Sequence, residues 1–309
     1  MLELAYIFLA AVVSFVIAAN NSAGSVGTLY GSRITSYYRA AFMAGFFVML
    51  GTFLEGWKMS GAIEGGLISY PLGLEMSLLV LLSVILLMLL FTILAVPMSA
   101  SQLMVGSIIG VAFAFGWSIN GGFTAFIVVS WILNFAISLF LSLSIYVLTS
   151  RLTKHFNVFA LSRFYTVSLL ISSAFMAYTL GANTIGLIAS LNLSWYSIIV
   201  TGVAALVGTV VLGKRTVVTV GSRITNMDPP RAFAAQIAGA IVVEAFTQIH
   251  LPVSITQAII GGVIGTGMVK GYRELNKKTV KNLFLSWSIA PIVGFALTYF
   301  IVMVLSWHI

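Results

Sequence analysis

The stretch PMSASQ at residues 97–102 recurs as PVSITQ at residues 252–257, and each copy runs on through two glycines spaced four residues apart. A constant offset of 155 residues (252 − 97) aligns the two stretches, and six of fourteen aligned positions are identical. Ser101 aligns with Thr256, which keeps a hydroxyl at that position. The chain therefore contains an internal repeat, and this repeat organises our interpretation of the fold.

Each copy predicts the start of a helix. Proline fits the first turn because its missing N–H would be unpaired there anyway. Hydroxyls two residues apart, beside free backbone N–H groups and the positive end of a helix dipole, offer several donors to an oxyanion. The alternative is an ordinary proline cap, which duplication makes less attractive. The candidate substrate-binding residues here are Ser99, Ser101, Gln102, Ser254, Thr256 and Gln257.

The composition is that of an all-α polytopic membrane protein. Of 309 residues, 60% are hydrophobic and 7% are charged, and the mean hydropathy is +1.11. A soluble domain would carry about a quarter charged residues. The bilayer is therefore the first partner that the sequence predicts.

Several function classes are disfavoured by residue content. The chain has no cysteine, and its three histidines lack the spacing of metal ligands, so we expect no metal site, no cofactor and no redox chemistry. The spans contain no nucleophile paired with a base, so we expect no enzyme. The net charge of +8 is spread over loops rather than over one soluble face, so we expect no nucleic-acid partner.

The hydropathy pattern predicts ten spanning helices, at roughly 20 apolar residues each. Fourteen of the fifteen Lys and Arg residues fall on one side of this arrangement, all except Lys58. The positive-inside rule then places both termini outside the cell membrane. The predicted spans are about 2–22, 39–57, 72–95, 98–118, 123–150, 164–190, 194–212, 231–250, 253–270 and 283–307.

An odd number of spans in each half requires the second half to enter the membrane inverted. We expect a first inverted repeat over residues 1–152, a cytoplasmic linker over 153–163 and a second inverted repeat over 164–309. This is the architecture of many secondary transporters, which bind substrate near the midplane at broken helices. No polar linker precedes either proline, so the two helix starts could lie within the bilayer, which leaves the number of full spans open.

Polar residues also follow the first apolar run of each half, where unwinding would expose backbone groups. Ala-Asn occurs at residues 19–20 and again at 182–183. The alternative for an asparagine within a span is an interhelical hydrogen bond of about 0.6 kcal/mol. The further substrate-binding candidates are Asn20, Asn21, Ser22, Ser25, Asn183 and Thr184.

Glu244 lies inside the predicted eighth span, and an intramembrane acid is a functional candidate by default. The repeat offset places Leu89 opposite it, so this acid breaks the symmetry. We expect a role in proton coupling. The paired glycines after each helix start have small-xxx-small spacing, which predicts close helix packing.

Together these motifs resemble the inorganic phosphate transporter (PiT) family. Its members carry a duplicated Gly-Ala-Asn-Asp-Val-Ala-Asn motif, a duplicated Pro-Val-Ser-Thr-Thr-His motif and a Ser-Trp pair in the last helix of each half. The corresponding stretches here are similar in order and spacing over nearly the whole chain. They are residues 18–24, 181–186, 97–102, 252–257, 130–131, 286–287 and a loop over 212–221.

The resemblance implies an inverted-repeat symporter, coupled to Na⁺ or H⁺, that takes up phosphate. The chain departs from the family pattern at two pairs of positions: the aspartate is replaced by Asn21 and Thr184, and the histidine by Gln102 and Gln257. Loss of the acid removes a ligand suited to a hard cation. It also removes an acceptor for the proton of phosphate, which favours sulfate. The altered first motif is similar to that of the sulfate permease branch of this family. Sulfate uptake, a passive anion channel and the presence of a homodimer stay open.

Overall fold

The computed structural model describes residues 1–63, 65–93, 98–214, 217, 228–270 and 277–306. Pro97 and most of the loop expected over 212–221 lie outside these residues. Helices dominate the described part, as the composition predicts. The longer ones are α1 Leu2–Asn21, α2 Ala23–Gly31, α3 Tyr37–Glu55, α4 Leu74–Ile93, α5 Ala100–Ala114, α6 Gly121–Leu152, α7 Val158–Thr179, α8 Trp195–Val211, α9 Pro229–Gln248, α10 Ile255–Gly267 and α11 Lys277–Ser306.

Six described helical segments are long and apolar enough to cross a membrane. They confirm a multi-span protein. The segments are Leu2–Gly31, Tyr37–Ile63, Leu74–Phe91, Gly121–Leu152, Val158–Asn192 and Lys281–Leu305.

The two helices that follow the repeated stretches are too short to span. Helix α5 has 15 residues and α10 has 13, which gives each about 20 Å at ~1.5 Å per residue, against a hydrocarbon core of about 30 Å. The prediction of full spans at 98–118 and 253–270 is therefore wrong. Each helix begins after an extended residue, as the sequence led us to expect.

The polar segments of the first span in each half are bent or widened rather than unwound. Ser22 separates α1 from α2 but keeps helical dihedral angles, and its N–H donates to the carbonyl of Ala18. In the second half, Leu180–Ile185 forms a π-helical turn. Both segments thus interrupt the regular α-helix without unwinding it. A π turn within an α-helix is frequent at functional sites.

The halves of the chain interlock through glycines. A Cβ added to Gly106 of α5 would lie well inside 3.0 Å of the Pro291 carbonyl oxygen on α11. A Cβ added to Gly265 of α10 would meet the Leu139 carbonyl oxygen on α6 equally closely. Each short helix thus packs on the last long helix of the other half. The prediction that these glycines serve packing is confirmed.

The first two spans of one half also pack closely on the first two spans of the other. Gly208 of α8 lies against the carbonyl oxygen of Phe15 on α1, and Gly51 of α3 lies against that of Tyr178 on α7. At both places a side chain as small as a methyl group would clash with backbone. The core therefore runs between the halves, and the two short helices begin inside it.

Candidate functional site

The same helix cap is built twice. Ser99 caps α5 at φ −89° and ψ 114°, and its Oγ accepts from the N–H of Gln102 at 3.5 Å. Ser254 caps α10 at φ −95° and ψ 116°, and its Oγ accepts from the N–H of Gln257 at 3.3 Å. We call residues 98–102 the first tip and residues 251–257 the second tip.

Both tips leave backbone donors free. The first N–H groups of a helix have no intrahelical acceptor. Among the described residues, no backbone carbonyl accepts from the N–H of Ala100, Ser101, Ile255 or Thr256. These groups are buried, apart from the half-buried Thr256. Each tip thus presents N–H groups that have no described carbonyl acceptor, at the positive end of a helix inside the protein.

Two consecutive residues of the π turn contact the two tips. The hydroxyls of Ser101 and Thr184 lie 3.4 Å apart, which joins the π turn to the first tip. The Oδ1 of Asn183 accepts from the N–H of Val253 at 3.1 Å, which joins it to the second. The tips, separated by 155 residues in sequence, therefore converge on a single dipeptide.

Asn183 is fully buried, and its whole amide is used in holding the second tip. Its Nδ2 donates to the carbonyl oxygen of Leu251 and to Oγ1 of Thr247, each at 3.0 Å. With both ends of the amide engaged, Asn183 acts as a positioning residue in this structure. Thr184 is 3% exposed and keeps its hydroxyl near the first tip.

The remaining tip hydroxyls lie close together. Ser254 Oγ and Thr256 Oγ1 are 2.9 Å apart, so the two predicted hydroxyls of the second tip share one hydrogen bond. The hydroxyl that accepts this hydrogen bond still has its own proton available, and the hydroxyl that donates still has lone pairs available. A ligand at the tip can supply that partner.

The candidates from the first span are held by their own helix. Asn21 Nδ2 donates to Ile17 O at 3.1 Å, Ser22 Oγ to Ala19 O at 3.0 Å, and Ser25 Oγ to Ser22 O at 3.2 Å. Asn20 is half-buried and has no side-chain hydrogen bond to another described residue. The structure therefore does not bring these four residues into hydrogen-bond contact with a tip.

The first span nevertheless lies beside the second tip's helix. A Cβ on Gly24 would collide with the side chain of Ile259 on α10. Gln236 of α9 joins the same region to the other half. Its Nε2 donates to Gly24 O at 2.8 Å, and its Oε1 accepts from Ser172 and Ser173 at 3.0 Å each.

Gln236 was missed by our sequence analysis, although a buried glutamine within an apolar helix is a detectable signal. Asn134 was also missed. Its Nδ2 donates to the Ser254 carbonyl oxygen at 2.8 Å, and the indole N–H of Trp131 donates to the Pro252 carbonyl oxygen at 2.9 Å. Trp131 and Asn134 of α6 thus hold the backbone of the second tip.

Glu244 belongs to a second polar cluster near the second tip. Gln248 Nε2 donates to Glu55 Oε2 at 2.7 Å and also to Glu244 Oε1. Lys58 Nζ lies 3.0 Å from Glu55 Oε2, and the Tyr178 hydroxyl donates to Glu55 Oε1 at 2.8 Å. The other oxygen of Glu244, Oε2, is buried and has no hydrogen-bond partner in the part of the chain that the structure describes. Carboxyl groups from the two halves thus share one amide.

The chemistry available is anion binding by neutral donors. Hydroxyl and N–H groups gather at two helix starts, and the described residues include no group of three or more His, Cys, Asp or Glu that could hold a metal. Donors gathered inside a protein suit an oxyanion that carries several acceptor oxygens.

Comparison with known proteins agrees with this geometry. The PHO4 phosphate transporter family model matches the chain twice, over residues 17–161 and 153–298. A protein of Methanocaldococcus jannaschii named "Putative phosphate permease" is 32% identical over 93% of this chain and 92% of its own length. A "Probable low-affinity inorganic phosphate transporter" of Rhizobium meliloti is 26% identical over the same shares.

A solved structure titled "The sodium-dependent phosphate transporter" has the same fold, with a TM-score of 0.89 over 100% of both chains at 20% identity. The two family matches cover nearly the whole sequence, and one falls on each half. The expectation of a transporter rather than an enzyme is confirmed. The chain is a member of the PHO4 phosphate transporter family.

Proposed function

We propose that the chain is a secondary transporter that takes up a tetrahedral inorganic oxyanion, phosphate in the first place, at a site between the two tips. The observation that carries this proposal is the convergence of both tips on Asn183 and Thr184. Two helix starts that contact neighbouring residues of one π turn offer a small anion several donors and no formal charge.

The binding residues of this proposal come from both halves. Ser99, Ser101 and Thr184 supply hydroxyls on the side of the first tip, and Ser254 and Thr256 supply them on the second. Asn183 positions the second tip. Asn20, Asn21, Ser22 and Ser25 belong to the first span, and in this proposal they reach the anion only in another state of the transport cycle.

Transport in this proposal depends on two inverted repeats, residues 1–152 and 164–309, joined by residues 153–163. The reciprocal glycine contacts and the matching caps support the repeat. In this proposal the second half enters the membrane inverted relative to the first. Both termini then lie outside the cell membrane, and the binding site lies near the midplane, where the tips begin.

The coupling cation in this proposal is a proton carried by Glu244, with Na⁺ as the alternative. Glu244 and Glu55 are bridged by Gln248, and Glu244 lies one turn before Thr247, which accepts from Asn183. A change in the protonation of Glu244 would therefore affect Asn183, the residue that holds the second tip.

Sulfate is the second candidate substrate. The neutral donors at the tips favour it, because sulfate only accepts hydrogen bonds. A passive channel is the alternative from a different class, and saturable uptake against a gradient separates it from a transporter.

The test is uptake of labelled phosphate and labelled sulfate by the purified protein in liposomes. We expect saturable phosphate uptake that a sodium or pH gradient accelerates. Uptake of neither anion would contradict the proposal. Non-saturating flux that follows only the anion gradient would indicate a channel.

A further inference from the structure

Each tip carries a buried acceptor that no described residue satisfies. Gln102 is 2% exposed and Gln257 is 5% exposed, and the Oε1 atom of each has no hydrogen-bond partner among the described residues. An unpaired buried polar group destabilises a protein, so it is uncommon outside functional sites. Here it occurs twice, at equivalent positions of the repeat.

The sequence around each glutamine predicts a different arrangement. Ser-x-x-Gln is a capping box, in which the serine accepts from the glutamine N–H and the glutamine side chain returns to the serine N–H. The first half of each box is present, because Ser99 and Ser254 accept as expected. The second half is missing at both tips, since neither Oε1 has a partner. Neither glutamine side chain thus makes the capping-box hydrogen bond that its spacing predicts.

We propose that Gln102 and Gln257 select a protonated oxyanion, and hence phosphate over sulfate, by accepting a hydrogen bond from its P–OH group. This inference rests on the proposed function. The free N–H groups and hydroxyls of each tip bind the unprotonated oxygens, while the glutamine oxygen at the same tip accepts from the protonated one.

Sulfate cannot complete this arrangement. At neutral pH it has acceptor oxygens only, so both glutamine oxygens would stay buried and unpaired beside it. Monohydrogen or dihydrogen phosphate carries donors as well as acceptors. In the orientation that the structure shows, each glutamine oxygen can accept a hydrogen bond from such a donor. The loss of the family's acid and histidine is therefore compatible with phosphate.

The two glutamines occupy equivalent positions in the two halves of the chain, which explains why there is one at each tip. Each sits three residues after its capping serine, in helices that contact the other half of the chain. A phosphate that binds at either tip therefore meets one acceptor and several donors.

The test is inhibition of labelled phosphate uptake in liposomes by unlabelled phosphate and by sulfate, at neutral pH. In the unmodified protein we expect sulfate to inhibit at least roughly tenfold less well than phosphate, because it leaves two buried acceptors unpaired. In Gln102→Met and Gln257→Met, which lack the acceptor, the apparent phosphate affinity should fall at least roughly tenfold while inhibition by sulfate is unchanged or stronger.

The ratio of the two inhibition constants is its own control, because misfolding lowers transport of both anions without changing their ratio. Gln102→Glu provides a second variant, since an acceptor-only carboxylate should favour the more protonated phosphate and move uptake to lower pH. Equal inhibition by sulfate and phosphate, or an unchanged ratio in both methionine variants, would overturn the inference while leaving oxyanion transport standing. No uptake of either anion would instead remove the proposed function.

Discussion

The hydroxyl groups of Ser101 and Thr184 lie 3.4 Å apart, although 83 residues separate them in the sequence. The first belongs to the first tip and the second to the π turn that also holds the second tip. Neither side chain is more than 3% exposed. This contact brings the two halves of the chain to one buried place.

Replacement of these hydroxyls should weaken anion binding. A hydrogen bond to a charged group contributes about 1.5–3 kcal/mol, so Ser101→Ala and Thr184→Val are each expected to raise the apparent KM for phosphate roughly tenfold or more. The measurement is concentration-dependent uptake in liposomes. Ser144→Ala is the matched control, because the Ser144 hydroxyl is exposed and bonds only to the Phe140 carbonyl of its own helix. Unchanged KM in both site variants would contradict this role.

Removal of the Asn183 amide should loosen the second tip. In Asn183→Ala the N–H of Val253 and the carbonyl of Leu251 lose their partner. Each unpaired buried group costs about 1–3 kcal/mol, so we expect a lower Tm in detergent and loss of phosphate uptake. Asn192→Ala is the control, since the Asn192 side chain is only half-buried and has no hydrogen bond within the described residues. A positioning role would be ruled out by an Asn183→Ala variant as stable as the control.

Addition of one methyl group at the interlocking glycines should separate the packed helices. Gly106→Ala and Gly265→Ala place a Cβ against backbone carbonyls that cannot move aside without shifting a helix. Overpacking of this kind costs about 1–3 kcal/mol, so the Tm of each variant should fall. Gly73→Ala serves for comparison, because nothing lies within 4 Å of its added Cβ. Equal Tm values for all three variants would refute the packing.

Replacement of Glu244 tests the coupling proposal. Glu244→Gln keeps the shape of the side chain but cannot carry an exchangeable charge, so uptake should persist in exchange mode and lose its stimulation by a pH gradient. The measurement is phosphate uptake with and without that gradient. Glu75→Gln, at an exposed acid on α4, should keep the stimulation. Full stimulation in Glu244→Gln would exclude this residue as the proton carrier.

The helix caps were predictable from the sequence because a cap is local. Ser99 and Gln102 lie three residues apart, and the preference of serine for this position is decided by backbone groups within one turn. The same is true of the glycine pairs, whose four-residue spacing defines a helix face. Their partner helices, however, lie in the opposite half of the chain.

The site itself could be predicted only in part. Asn183 was identified as a candidate from its repetition, but its role as a clamp depends on Leu251 and Val253, which approach it through tertiary packing. Glu55 and Glu244 stand 189 residues apart (244 − 55), and no spacing rule connects them. The π turn could not be predicted either, because the local sequence pattern is similar for a widened helix and for an unwound one.

The most direct test of the central claim is a cross-link between Ser101→Cys and Thr184→Cys. The chain has no cysteine of its own, so the double variant contains a single pair of thiols. A disulfide requires Cβ atoms about 3.5–4.5 Å apart, which the 3.4 Å separation of the two hydroxyls allows. Formation is measured as loss of two maleimide-reactive thiols after oxidation, with Ser101→Cys and Ser144→Cys as the control pair. We predict rapid cross-linking of this pair and none of the control pair; failure of Ser101→Cys and Thr184→Cys to cross-link would contradict the convergence of the two halves on one buried site.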